Sequence, residues 1–509
     1  MKRHKLSSAL LLSLACGVAC CAATGRSTQD VREPIGAGQF YPRSAATLRS
    51  ALRAMMADAL PPRPDRPVAI VVPHAGYIYS GQIAADAYRQ ASAHRYDTVV
   101  IVGTNHTDGG FRKVAILPGR SFKTPLGNAP IDDAFVAALM KADSDCVFDA
   151  APHRAEHSVE VQVPFVQHLF PNARLVPIVV GRPDQAMCER LGRALASVAK
   201  DRSVLIVASS DLSHYPSADN ASAVDRGTLE TIASMDVQAL YDREFGRQSA
   251  QVPELVTHAC GSGPVMTAIA AARALGAARA VALSYANSAD VAVGDPERVV
   301  GYGAVVFSAG GPSSDVSALK TPPPDAGALQ ADDKKALLAY ARNTLTRYLG
   351  TETLPLARGF SARVNRKGGV FVTLKKQGEL RGCIGHIPSD SAVAGLVGRM
   401  ALESALNDPR FPKVTADELR GLELEISVLT PPKRVGGATD IVVGRDGVFL
   451  DADGRGAVFL PQVAPEQGWN RDEMLDNLCV KAGLPANRWR RPGVTYSTFQ
   501  ADVFGEGHR

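Results

Sequence analysis

"VAIVVPHAGYIYSGQIA", residues 68–84, frames the reading of this chain. Val68 to Val72 form a continuous apolar run rather than an alternating one. A short run of this kind reads as a strand buried on both faces. Pro73 ends it, His74 follows at once, and a turn containing Gly76, Ser80 and Gly81 comes next. Similar runs recur downstream: "TVVIVGTNH" (98–106), "RLVPIVVG" (174–181), "VLIVASSDLSH" (204–214) and "VVGYGAVVFS" (299–308). Between them lie helical patterns over 83–91, 134–141 and 186–200. Buried strands alternating with helices predict an α/β domain around a largely parallel or mixed sheet.

The polar residues of this region collect where the strand runs stop. His74 follows the first run, Asn105 and His106 the second, and Asp211 and His214 the run that begins at Val204. In α/β sheets, ligands bind outside the carboxyl ends of the strands, in loops aimed by a rigid scaffold. Two further segments join them. "EHSVEVQVPF" (156–165) puts His157, Glu160 and Gln162 near a helix start, and "HACGSGP" (258–264) sets Cys260 in a glycine-rich turn ahead of a helix over 265–272. A cysteine before a helix N-terminus is favourably placed to ionise. Imidazoles with a thiolate or carboxylate and open positions suit a transition metal that binds substrate or O₂, and the same donors suit zinc or copper. Taken singly, each residue has a structural alternative: His157 as a helix cap or core residue, Asp211 as a turn cap, Cys260 as a small buried hydrophobe. The grouping at strand ends carries the site reading.

With 509 residues the chain is too long for one ordinary domain. Its 46% hydrophobic and 21% charged content is that of soluble globular material with a full core. The net charge of +5 is dispersed, with no basic stripe and no interleaved aromatics, so nucleic acid is not an expected partner. Residues 1–23 have a basic start (Lys2, Arg3, Lys5), an apolar stretch and then small residues. This pattern predicts an export signal rather than a membrane span. Cys16, Cys20 and Cys21 keep lipoprotein processing open beside plain cleavage near Ala22 or Ala23. The expected location is therefore periplasmic, or lipid-anchored to the envelope. Cys146, Cys188, Cys260, Cys383 and Cys479 are too scattered for a disulfide framework, so in an oxidising compartment each needs burial, a metal or a function.

The α/β unit spans residues 32–309, a Gly-, Ser- and Pro-rich linker follows at 310–329, and an α+β unit occupies 330–506. The second unit opens with an amphipathic helix, Asp332 near its start and Gly350 as its expected stop. Its "GELRGCIGHIPSD" (378–390) contains Arg381, Cys383 and, within six residues, Gly382 and Gly385, suited to close backbone approach or positive φ. Arg381 beside Cys383 is expected to lower the thiol pKa, while a packed turn with a structural cysteine is the competing reading. "VTADEL" (414–419) reads as an N-cap at Thr415 with Glu418 three residues on.

The blocks "VVPHAGYIYSG", "VGTNHT", "EHSVEVQVPF", "ASSDLSHY" and "HACGSGPV", in this order, closely resemble the Memo family over about residues 32–309. The resemblance implies a fold like that of class III extradiol dioxygenases, which use non-haem iron. It implies metal ligands at His74, His106 and Cys260 and further pocket residues at Asp211 and His214. Cysteine stands where those dioxygenases carry a carboxylate ligand, which argues against plain catechol cleavage. The family implies either metal-dependent redox chemistry on a small-molecule substrate, with iron, copper or zinc, or a peptide-binding adaptor using the same pocket. "LRGCIG", "NDPRFP", "LELEISVLTPP" and "GVFLDADGRGAVFLPQVAPEQGW" resemble the AMMECR1 family over about residues 330–506, with His386 where threonine or serine is usual. Arg381 and Cys383 are its site candidates. The chain resembles a fusion of two parts of an AmmeMemoRadiSam system. It lacks the Cys-x₃-Cys-x₂-Cys cluster motif, so a radical SAM partner would be a separate protein.

Overall fold

The structure is a computed structural model that describes residues 31–246, 252–310, 313–316, 327–387 and 391–507. The export signal read at 1–23 and most of the linker read at 310–329 lie outside the described residues.

The first domain is α/β around a nine-stranded mixed sheet. Four strands form its parallel centre, in the order Pro67–Val72, Val204–Ser209, Thr98–Thr104 and Arg174–Val180. Antiparallel pairing extends it through Gly301–Ser308 on one side and Val114–Ile116 on the other. Every residue of Thr98–Thr104, Val204–Ser209 and Gly301–Ser308 is buried. This explains why these segments read as unbroken apolar runs: helices cover both faces of the sheet. Asp132 and Asp184 start the helices Asp133–Ala142 and Gln185–Ala199, accepting from Phe135 N and Met187 N. Helix Tyr77–Ala91 begins six residues earlier than the apolar period over 83–91 indicates. Its first N–H, on Tyr77, donates to Phe40 O at 2.7 Å.

The second domain is α+β. Helices Ala331–Thr351 and Val393–Leu406 pack on a four-stranded antiparallel sheet, ordered Glu379–His386, Val370–Lys376, Leu422–Leu429, Ala501–Gly505. A second four-stranded sheet packs with helix Arg471–Lys481 around a separate core that includes Val448, Leu450, Leu475 and Leu478. The first helix passes through Gly350, and Glu352 ends it in the left-handed region at φ 56°. Glycine is tolerated inside a helix at a cost and does not by itself stop one. At Thr415 the chain makes the expected turn, but as the 3₁₀ segment Ala416–Gly421, with Glu418 accepting from Thr415 N at 3.1 Å.

One apolar core runs through the first domain and into the sheet-and-helix layer of the second. Two arginines of the second domain bond across this contact. The Arg347 side chain is 5% exposed and donates to Asp58 Oδ2 at 3.0 Å and Gln82 Oε1 at 2.9 Å. Arg358 donates to Asp86 Oδ2 at 2.6 Å, and Asp86 is fully buried.

Candidate metal centre

Three neighbouring parallel strands aim their carboxyl ends at one place. Val204–Ser209 lies between Pro67–Val72 and Thr98–Thr104, so the turns bearing Asp211, His74 and His106 share one edge of the sheet. A later strand inserted between two earlier ones makes this a topological switch point, where the loops diverge and leave a crevice. His157 enters from the segment ahead of helix Val163–Leu169, and Cys260 from the turn before helix Ser262–Ala274.

One ligand atom from each of His74, His106 and His157 lies within 4.8 Å of the others. Ring centroids are 5.2 Å apart for His74–His106, 5.4 Å for His74–His157 and 4.8 Å for His106–His157. Cys260 Sγ sits at the His74 corner, 3.2 Å from Nε2. Asp211 Oδ2 is 4.0 Å from the same nitrogen. Phe40 stacks on His157 at 4.3 Å. His74 forms the buried floor, while the His106 and His157 side chains are 32% and 21% exposed at the mouth.

Carboxylates, all buried except the half-buried Glu244, hold the turns that carry these groups. Asp211 accepts from His74 N at 2.7 Å and Ala75 N at 3.2 Å. Glu156 accepts from His106 N at 2.7 Å and faces His106 Nδ1 at 2.9 Å. Asp225 accepts from Ser213 N at 2.8 Å, Ser213 Oγ at 2.9 Å and Tyr285 Oη at 2.9 Å, underneath the Asp211–His214 turn. Glu244 accepts from His258 N and Ala259 N, both at 2.9 Å, beside Cys260. Glu160 accepts from Gly36 N at 2.7 Å and Tyr41 Oη at 2.6 Å and pairs with Arg32, fixing the segment that presents Phe40. Sequence reasoning singled out Asp211 and Glu160 but missed Glu156, Asp225 and Glu244. An acid on a largely apolar helix face, among Ala221, Val224, Leu229 and Ile232, was the available signal for Asp225.

The electrostatics favour neutral His74, His157 and Cys260 and a more basic His106. Burial holds His74 well below the ordinary imidazole range, with His106 and His157 adding to the effect. Burial also lowers His157. At His106 burial is outweighed by the hydrogen bond and charge of Glu156, and its pKa rises. Glu156, despite its burial, is carried down to about 2 by its bonds from His106 and Ser158. Burial, with the charge of Asp211, pushes the Cys260 thiol well up. In the metal-free chain Cys260 is therefore a thiol, not the thiolate expected from its place before a helix. The donor set of imidazole nitrogens with an adjacent sulfur fits a first-row transition metal. It does not fit magnesium or calcium, which take oxygen ligands.

Asp211 and His214 line the same crevice. Burial raises the Asp211 carboxyl against the opposing effects of His214 and the His74 and Ala75 N–H bonds. His214 Nε2 is buried and has no hydrogen-bond partner among the described residues. Tyr215 follows in the left-handed region at φ 78°, with the Arg298 guanidinium 3.9 Å from its ring centroid.

Arg381 and Cys383 lie apart from these groups, on the edge strand Glu379–His386 of the second domain. Arg381 pairs with Glu418 at 3.1 Å, and Cys383 Sγ accepts from Thr373 Oγ1 at 3.3 Å. The expectation that Arg381 lowers the thiol pKa is corrected: burial is the dominant influence on Cys383, and its pKa rises. The two glycines serve close packing. A Cβ on Gly382 would lie 2.1 Å from Ser404 O, and one on Gly385 would lie 2.1 Å from the Phe371 ring. The five cysteines among the described residues are all free, with Cys146, Cys188 and Cys479 buried.

Comparison with known proteins places these features in context. The family described as Memo-like protein matches residues 32–306, and the AMMECR1 family matches residues 338–504. A MEMO1 family protein of Methanosarcina mazei is 37% identical over 284 residues, covering 54% of this chain and 99% of that protein. One from Methanopyrus kandleri is 36% identical over 291 residues, covering 55% of this chain and 99% of the relative. An uncharacterized protein from Pyrococcus horikoshii, known from a crystal structure, is 34% identical with a TM-score of 0.34, covering 35% of this chain and 94% of that one.

Proposed function

From a chain that belongs to the Memo family and carries an AMMECR1 domain behind it, we propose a metal-dependent redox protein acting on a small organic substrate. The observation that carries this reading is the convergence of His74, His106 and His157 to within 4.8 Å, with Cys260 Sγ 3.2 Å from His74 Nε2. Pure recognition seldom needs three imidazoles and a thiol at converging strand ends. Iron is the favoured ion, with copper or zinc as alternatives that the same donors accept. When bound, the ion supplies Lewis acidity and, for iron or copper, one-electron chemistry.

The protein's own groups divide the remaining work. His74, His106 and His157 bind, with Cys260 available at the edge. Asp211 holds the His74 turn by its N–H groups, and burial lets its carboxyl hold a proton more readily than an exposed aspartate does. His214 offers Nε2 to a polar atom of the substrate and is suited to proton transfer. Phe40 closes one wall against His157 and keeps water from that side.

The reading extends to an exported protein, periplasmic or held to the envelope through a lipid anchor. There it would work with a separate radical SAM protein in an AmmeMemoRadiSam-type system. Among the described residues no helix is long and apolar enough to cross a membrane. Metal analysis after anaerobic purification and reconstitution tests the proposal. One iron or copper ion per chain is expected, and failure to take up either would refute it.

A further inference from the structure

The segment Glu156–His157–Ser158 bears on all three imidazoles: Glu156 on His106 directly, Ser158 on His74 through Ser209, and His157 as the third ring. We infer that Glu156 and Ser209 are positioning residues that set His106 and His74 as Nδ1–H tautomers, so that each ring turns its Nε2 lone pair toward a metal. The inference rests on the metal reading for its purpose, but the tautomers are fixed by the protein alone.

The hydrogen bonds leave little freedom. Gln162 Nε2 lies 2.8 Å from Pro73 O, a carbonyl that can only accept, so this atom is the amide nitrogen. The same nitrogen donates to Ser209 Oγ at 2.9 Å. The single proton of the Ser209 hydroxyl goes to Ser158 O, 2.6 Å away. Ser209 Oγ therefore has only acceptor capacity left for His74 Nδ1, at 3.2 Å. His74 must carry its proton on Nδ1, and Nε2 holds the lone pair beside Cys260 Sγ. At His106 the argument is shorter. Nδ1 lies 2.9 Å from Glu156 Oε1, and the carboxylate accepts, so Nδ1 donates.

The tripeptide thus works as a hub. Glu156 orients His106, His157 supplies the third imidazole, and the Ser158 carbonyl orients His74 through the Ser209 hydroxyl. Glu156, Ser158, Gln162 and Ser209 are each at most 1% exposed, so water does not compete for these bonds. The hub is itself anchored, by Ser158 N on Glu156 Oε1 at 2.8 Å and Ser158 Oγ on Thr104 O at 2.9 Å. Outer partners of this kind fix ring orientation and tautomer at metal-ligating histidines, and losing one typically lowers metal affinity by about 10–100-fold.

Two measurements on the full chain test this. Long-range ¹H–¹⁵N spectra of metal-free protein labelled at histidine, recorded with the pH raised until both rings are neutral and assigned with His74→Gln and His106→Gln, should show both rings as Nδ1–H tautomers. A neutral Nε2–H form at either ring overturns the inference. Cobalt(II) titrations should then show binding about 10–100-fold weaker in Glu156→Gln and in Ser209→Ala, with shifted ligand-field bands from the re-aimed rings. Ser209→Thr retains the hydroxyl and should return affinity to within a few-fold of the wild type. Unchanged affinity and spectra in both Glu156→Gln and Ser209→Ala also overturn the inference. If one variant does not fold, the other and the wild-type spectra still decide. A wild type with both tautomers but no cobalt uptake contradicts the metal reading alone and leaves the tautomer assignment standing.

Discussion

Asp225→Asn isolates the energetic cost of the carboxylate beneath the Asp211–His214 turn. Asp225 is fully buried, and that burial raises its pKa from 3.8 to about 6 against three hydrogen bonds that favour the charge. Because the folded pKa exceeds the unfolded one, the folded state holds this proton more tightly. The carboxyl therefore costs nothing below pH 3.8 and imposes its full penalty above pH 6. A rise of roughly 2 pKa units at about 1.4 kcal/mol each gives about 3 kcal/mol. Asparagine has nearly the same shape and does not ionise. Its rearranged bonds to Ser213 and Tyr285 add an offset that does not vary with pH. Urea unfolding of metal-free protein, followed by far-ultraviolet circular dichroism from pH 3.5 to 7.5, gives the stability difference between wild type and variant. That difference should move by about 3 kcal/mol in favour of asparagine as pH rises through 4 to 6. A difference that stays flat, or moves the other way, refutes the assignment of a burial-raised carboxyl at this position.

Gly382→Ala should destabilise the second domain by about 1–3 kcal/mol, because the new Cβ meets Ser404 O at 2.1 Å. Trp469 and Trp489 both lie in that domain, so tryptophan fluorescence in urea reads the effect directly. Arg358→Ala strips Asp86 of its 2.6 Å partner across the domain contact and leaves Leu60 N–H as the remaining bond to the carboxylate. The expected loss is about 2 kcal/mol, the worth of one hydrogen bond to a charged group, measured as a lower guanidinium midpoint. Iron(II) at a hundred times its Kd should stabilise the folded chain by about 2.7 kcal/mol. A chelator should reverse the gain, and His106→Ala should abolish it.

What the sequence revealed, and what it concealed, follows from the range of the interactions involved. The α/β domain was legible because strands such as Val204–Ser209 are buried on both faces and carry no polar interruption. His74, His106 and Asp211 were legible because each directly follows such a strand. The role of His157 was harder to read, since it approaches the other imidazoles from a segment more than eighty residues after His74. Glu156 and Ser209 gave no signal, because their importance lies in which proton goes where, and that is decided only once Ser158, Gln162 and His74 meet. In "LRGCIG" sequence proximity misled: Arg381 and Cys383 are two residues apart, yet the guanidinium serves Glu418 while burial governs the thiol. Gly350 misled as well, since the helix runs past it to Thr351 and ends at Glu352.

X-ray absorption at the metal edge of the iron-loaded full chain tests the central claim most directly. The account predicts one ion per chain, with the multiple-scattering signature of about three imidazoles in its first shell. That count does not require sulfur, and sulfur scattering would place Cys260 on the ion. An oxygen-only shell without imidazole scattering, or an unchanged spectrum in a chain lacking both His74 and His106, would contradict it.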